Sequence, residues 1–232
     1  TGLMVILADP NSTIRARCVD ETHRAVCRRL HLRKGAIWSE ASAGTNGVGT
    51  CIQEKQPVFL GQGDHWRFCF SLLASYAVPV FDAQGQVAGA LNLAAMTGNT
   101  TRPYANLLME TLKLSSRRIE ETLFRNCHVG EQILTLGIAE ECSALLVAIN
   151  RAGEVTGATQ GARSLMGWTD DMICTRPNLL AELEMGAEIS FKKAEESVVR
   201  SALAATQGNV SAAAKSLNIS RATLYRKMKA LN

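Results

Sequence analysis

The stretch that most narrows the folding options lies at the C-terminal end, where residues 195–231 read EESVVRSALAATQGNVSAAAKSLNISRATLYRKMKAL. Val198, Val199, Ala202 and Leu203 recur at helical spacing and mark one apolar face, and Gly208-Asn209 ends that helix. Asn209 or Ser211 caps a second, short helix from Ala212 to Leu217. Asn218-Ile219 makes a tight turn, and Ser220 caps a third helix from Arg221 to about Leu231, with Leu224, Met228 and Leu231 facing inward. The small Ala213 and Ala214 let two helices approach closely. Two short helices joined by a turn of about 3–4 residues, the second one basic, describe a helix-turn-helix.

The charge distribution supports a polyanionic partner for this segment. Between Phe191 and Asn232 eight Lys and Arg face two Glu, a net +6, so the preceding 190 residues carry −2 of the chain's total of +4. The outward residues of the last helix are Arg221, Thr223, Tyr225, Arg226 and Lys229. An arginine near the start of a recognition helix can pair with guanine O6 and N7, while Thr223, Tyr225, Arg226 and Lys227 can reach phosphates or base edges. The alternative is a solvated basic helix. Against it stands the ordered set of Gly-Asn, capping Ser, Ala-Ala, Asn-Ile-Ser and Arg-x-Thr-Leu-Tyr-Arg-Lys. GNVSAAAKSLNISRATLYRKMKAL resembles the Fis-type helix-turn-helix that ends many bacterial enhancer-binding regulators. That resemblance implies a homodimer on double-stranded DNA with two recognition helices in successive major grooves. It places DNA contacts at Asn209, Ser211, Ser220, Arg221, Thr223 and Arg226, with Arg221 as the main base reader.

A second feature, SAGTNGVGTC at Ser42–Cys51, puts three glycines within six residues and raises the question of phosphate binding. A Walker loop needs a lysine after its second glycine, and Thr50 stands there instead. A Rossmann loop needs a third glycine, and Ile52 stands there. Both nucleotide readings fail on a residue their mechanism requires.

The surrounding pattern reads as mixed α+β. Leu3 to Ala8 is a buried strand, with Thr13 to Val19 as its partner, and a helix runs from Asp20 to about Leu30. Thr45 to Glu54 is helical, Pro57 to Leu60 a short strand, and Asp64 to Phe70 irregular. Leu73 to Phe81 and Gln86 to Ala94 form a hairpin about the Asp82–Gly85 turn. Pro103 opens a long helix whose apolar positions Leu107, Leu108, Leu112, Leu114, Ile119, Leu123 and Phe124 keep helical period, and it continues to about Leu136.

WSEASAGTNGVGTCIQEKQPV, DHW and YAVPVFDAQGQVAGALNLAA resemble the GAF domain of regulators of the acetoin and dihydroxyacetone catabolism type, over roughly residues 3–97. Asp64-His65 stands for the family's Glu-His pair and Pro79-Val80-Phe81-Asp82 for its strand end. Tyr76 and Ala77 occupy positions that are usually small or Cys. The resemblance implies a small molecule held between sheet and covering elements, with Gly44, Gly47 and Gly49 bending the backbone into a helix over it. Thr45, Cys51, Trp66, Phe68, Cys69 and Tyr76 are then candidate wall residues, although a plain core role is the favoured reading of any one of them. Leu145 to Trp168 resembles the first half of a PAS domain, without a haem or flavin site.

The expected organisation is a GAF-like sensor at 1–100, a linking and dimerising helix at 101–136, a partial PAS-like segment and linker at 137–186, and a Fis-type helix-turn-helix at 187–232. Full regulators of the type usually carry a sigma-54-activating ATPase, but no Walker A motif occurs in these 232 residues, so ATP hydrolysis is not expected of them. The seven cysteines have no C-x-x-C spacing, so neither a zinc knuckle nor a redox pair is expected, and buried reduced thiols are the economical reading. No apolar run reaches the roughly 20 residues of a membrane helix, and the expected setting is cytoplasmic. The leading expectation is a non-enzymatic, cofactor-free, metal-free transcriptional regulator with a small-molecule or protein effector. The rivals are a GAF-based thiol enzyme using Cys51 and Cys69, in the manner of a methionine sulfoxide reductase, and a ligand-free protein-interaction adaptor.

Overall fold

Alternation in Leu3–Ala8 builds strand β1, with Met4, Ile6 and Ala8 buried on one face and Val5 and Leu7 part-exposed on the other. The computed structural model describes residues 3–96, 102–137, 143–183, 206, 209–217, 219–221 and 223–224. Strands β2 (Ile14–Cys18), β3 (Val58–Leu60), β4 (Ala74–Phe81) and β5 (Val87–Ala95) complete an antiparallel sheet in the order β2-β1-β5-β4-β3. The β4–β5 turn forms because the Asp82 carboxylate accepts from the backbone N–H groups of Gln84 and Gln86 at 2.9 and 2.8 Å.

Each face of this sheet has its own cover. Met4, Ile6 and Ala94 meet the helices α1 (Arg24–Arg29), α2 (Glu40–Ala43) and α3 (Gly47–Glu54) in a core that includes Cys27, Trp38, Ala43, Val48 and Phe70. Ala74, Tyr76, Val78 and Leu93 meet Leu108 and Leu112 of the long helix α4 (Arg102–Cys127) on the opposite face. The expected helix from Asp20 begins instead as a single 3-10 turn, Glu21–His23, before α1.

The long helix ends earlier than its periodicity suggests. Beyond Cys127 the chain turns, Glu131 N–H donating to the His128 carbonyl at 3.3 Å, and Gln132–Thr135 becomes strand β6. Ile133 and Leu134 suit a helical stripe, but they pair with Ala148 and Val147 in a second antiparallel sheet. That sheet has the order β6-β7-β8, with β7 (Leu146–Ile149) and β8 (Val155–Ala158), followed by α5 (Gln160–Met166) and α6 (Asp170–Cys174). The first hairpin inserts its tip here: Ala83 is buried with Phe124, Ala144, Leu146 and Ala148. The chain divides into two compact units, residues 1–177 and 178–232, and both sheets belong to the first.

In the second unit the described residues include α7 (Val210–Ser216) and the start of the following helix at Arg221, Thr223 and Leu224. The expected first helix around Val198–Leu203 lies outside the described residues. Among the described residues no helix is long and apolar enough to cross a membrane, and no three His, Cys, Asp or Glu converge as a metal site.

Candidate sensor interior and nucleic-acid interface

The glycine-rich stretch is organised around Asn46, which the candidate wall residues did not include. Its side-chain oxygen caps α3 by accepting from Gly49 N–H at 2.9 Å. Its amide donates to the carbonyls of Trp38 at 2.9 Å and Gly44 at 2.8 Å, so this fully buried side chain has its polar atoms engaged. Gly44 adopts φ +69°, and a Cβ there would lie 2.5 Å from the Trp66 ring. Gly47 sits in the first turn of α3, where a Cβ would lie 2.1 Å from Ser75 Oγ. Only Gly44 bends the chain as expected of the set. Gly47 instead lets α3 lie directly on the buried Ser75–Asn92 pair, whose amide donates to the hydroxyl at 2.5 Å. The sequence Gly-Thr-Asn-Gly encodes close approach more than flexibility.

The expected wall residues do not share one wall. Cys51 is fully buried on the α3 face with Ala77 and Ala90. Tyr76 lies on the α4 face, because successive residues of β4 alternate and its neighbours Ser75 and Ala77 take the other side. Its ring meets Phe59 at 4.9 Å, and its buried hydroxyl has no hydrogen-bond partner among the described residues. Trp66 and Phe68 are 80% and 91% exposed, and Cys69 is exposed too, so the 64–70 loop presents them outward. Thr45 is half-buried and its carbonyl accepts from Trp66 N–H at 3.3 Å. Nor are the thiols generally buried: Cys18, Cys69, Cys127 and Cys174 are exposed, while Cys27 and Cys51 are buried. Strand pleating and loop direction decide these placements, and neither is visible in residue type.

The same loop turns His65 inward. This imidazole is 6% exposed and meets Phe70 edge-on at 6.2 Å, and Phe70 stacks on Trp38 at 4.8 Å. Neither ring nitrogen has a partner among the described residues. Burial lowers its pKa below the ordinary histidine value, against the opposing pull of Asp64, so the ring is held neutral and offers one donor and one acceptor.

A second polar centre escaped sequence reasoning altogether. Glu120 on α4 is 2% exposed and accepts three hydrogen bonds: from Phe81 N–H at 3.2 Å, Ser143 Oγ at 2.9 Å and Ala144 N–H at 2.9 Å. Ser143 Oγ in turn accepts from Gly161 N–H at 2.8 Å in α5. One carboxylate thus ties the end of β4, the entry to β7 and the first turn of α5 to the long helix. Burial pushes its pKa up to about 7, although all three hydrogen bonds favour the charged form. The apolar rhythm of α4 hid it, since Glu120 falls between Ile119 and Leu123 and reads as a solvated residue.

In the second unit, the described residues from 209 to 224 form the turn between two helices. Asn209 caps α7 by accepting from Ser211 and Ala212 N–H at 3.1 and 3.2 Å. Ser220 caps the next helix, accepting from Thr223 N–H at 3.0 Å. Ala213, Ala214 and Leu224 are buried together, with Val210, Leu217 and Ile219 packed around them. Ser211 and Arg221 are exposed and Thr223 is half-buried, its hydroxyl 2.8 Å from that of Ser220. Asn209 and Ser220 therefore commit their acceptors to capping. Tyr225, Arg226, Lys227 and Lys229 lie outside the described residues.

Comparison with known proteins agrees with both halves. Residues 190–231 match the bacterial regulatory protein, Fis family, and residues 3–123 match the GAF domain. The acetoin catabolism regulatory protein of Cupriavidus necator is 28% identical over 169 residues, covering 71% of this chain and 25% of the relative. The acetoin dehydrogenase operon transcriptional activator AcoR of Bacillus subtilis is 28% identical over 93 residues, covering 39% of this chain and 15% of the relative. The chain thus spans a quarter or less of the length of these curated relatives. Among solved structures, the Escherichia coli DhaR(N)–DhaL complex aligns with a TM-score of 0.42 at 17% identity, covering 73% of this chain and 58% of that one. With the GAF match extending over more than half of its residues, the chain belongs to the GAF domain family and carries a Fis-family segment after it.

Proposed function

We propose that this chain is a DNA-binding transcriptional regulator whose GAF domain reads a small molecule or a partner protein. The observation that carries the reading is the joint presence of the GAF match and a Fis-family turn built from two capped helices around Ala213, Ala214 and Leu224. Arg221 reads bases at the start of its helix, and Ser211, Thr223, Tyr225, Arg226, Lys227 and Lys229 position the phosphates. Asn209 and Ser220 act on DNA mainly by fixing the helix ends, since their acceptors are already used.

The protein works as a homodimer. Leu107 and Leu114, seven residues apart on α4, are 62% and 54% exposed and supply a stripe for a second copy. The buried, neutral His65, whose ring nitrogens have no partner among the described residues, supports a small neutral effector. The relatives' names make acetoin the first compound to test. Such an effector changes operator affinity only through its differential affinity for two arrangements of the dimer.

Gel-shift titrations with a selected operator and a random duplex test the reading. Arg221→Ala is expected to remove about 1–3 kcal/mol of discrimination between them while leaving weak salt-sensitive binding. An unchanged preference rejects the assignment.

A further inference from the structure

The first unit contains a cleft of about 520 Å³ away from the sheet interior, in the size range of small-molecule sites. It lies between the end of α3, the middle of α4 and the start of α5, so its walls come from both sheets' surroundings. Lys55, Lys113, Ser143, Gln160 and Ser164 line it, with Glu54 the acidic side chain among its lining residues. We propose that this cleft binds a small anionic metabolite carrying a carboxylate or phosphate group, at a site separate from the interior beneath the glycine loop.

The chemistry of the lining carries the proposal. Two lysines, two glutamines and two serines line one concavity, and anions are the ligands that use donors of this kind together. The backbone fixes where the exposed Lys55 side chain leaves the helix: the residue terminates α3 in the left-handed conformation, φ 56°, with its N–H donating to the Cys51 carbonyl at 2.9 Å. Lys113 is half-buried and held by Glu110 at 2.8 Å. That surface pair, one turn apart on α4, is worth little by itself, so an anion in the cleft can recruit the lysine. Pro57 and Phe81 add apolar wall for the carbon skeleton.

The position of the cleft gives binding a consequence. Phe81 and Ser143 line it, and both donate to Glu120, the carboxylate that fastens the second sheet to α4. A ligand touching α3, α4 and α5 at once strengthens the docking that Glu120 maintains, and so favours the closed first unit over any opened form.

Calorimetric titration of the whole chain with inorganic phosphate and, separately, with succinate, at constant ionic strength, tests this. Saturable binding of at least one anion is expected, weakened about tenfold or more in a Lys55→Gln/Lys113→Gln variant. Lys215→Gln, on the basic second unit, should leave the affinity unchanged. Ser164→Phe provides an independent variant: the position is exposed, the added ring fills the cleft, and binding should vanish while circular dichroism stays the same. Phosphate binding alone identifies a phosphate ester, succinate binding alone a carboxylate, and binding of both the shared anion chemistry. Binding of neither, or affinity that survives the two-lysine or the Ser164 variant, overturns the proposal.

Discussion

Among the buried polar side chains of the first unit, Glu120 and His65 are handled in opposite ways. Glu120 is 2% exposed, its pKa pushed up to about 7 by burial, and it accepts from three donors in two segments, Phe81 and Ser143–Ala144. His65 is 6% exposed and has no hydrogen bond to either nitrogen among the described residues. A buried polar group with its partners in place specifies geometry, and one without them lowers stability. The difference separates a fastening from an unsatisfied group: Glu120 holds α4, β4 and β7 in one arrangement, whereas His65 keeps hydrogen-bonding capacity that no described residue uses.

The largest effect is expected at Glu120. Replacement by Ala strands the Phe81 and Ala144 N–H groups and should cost about 3 kcal/mol or more in urea unfolding. Glu120→Gln keeps the shape but turns an amide hydrogen toward one of those donors, at about 1–2 kcal/mol. The carboxyl also sets a pH dependence. Its folded pKa of about 7 lies above the ordinary 4.5, so its favourable contribution is complete below about pH 4.5 and is lost as the pH rises through 7. Unfolding curves across pH 5–8 should show this loss in the parent and a flatter profile in the Gln variant. A parent profile that rises through this window would mean that Glu120 is not the buried acid described.

The second effect tests what the glycine loop is for. Gly47→Ala places a methyl 2.1 Å from Ser75 Oγ and 2.7 Å from Asn92 Nδ2, and should destabilise by about 1–3 kcal/mol despite Ala's better helix propensity. If the loop were only a flexible helix entry, the same change would be neutral or stabilising. The sign of the change in urea midpoint decides between the two.

Much of this architecture was legible before any coordinates. Hairpin alternation, the Asp82–Gly85 turn and the caps at Asn209 and Ser220 depend on local chemistry, and they appear where local chemistry puts them. The strand Gln132–Thr135 was not legible, because Ile133 and Leu134 fit the helical period of α4 and only the distant partners Val147 and Ala148 select the strand. The candidate wall residues divide between two faces for a related reason. Residue type made Tyr76 and Cys51 equivalent, but one pleat of β4 sends Tyr76 to the α4 face. Glu120 was hidden because its meaning comes from Ser143 and Ala144, more than twenty residues away in the chain.

The smallest effect is expected at His65, and its sign is the sharpest test of the contrast with Glu120. His65→Leu removes two unpartnered nitrogens from an apolar setting beside Phe70 and Trp38, so the variant should match the parent or exceed it by up to about 1 kcal/mol. The pH behaviour separates the two groups further. The His65 pKa is lowered by burial, so its contribution is present above the ordinary value of 6.5 and is lost as the pH falls through the folded value. Glu120 acts in the opposite direction. Removing His65 should therefore steepen the gain in stability on acidification, and Glu120→Gln should leave the His65 loss exposed. Effector response completes the test: with a regulator whose operator binding responds to acetoin, His65→Leu should abolish the response while basal DNA binding persists. A variant that is destabilised by 2 kcal/mol or more would instead identify His65 as a second fastening, with partners that form in solution, and the contrast between the two side chains would fall.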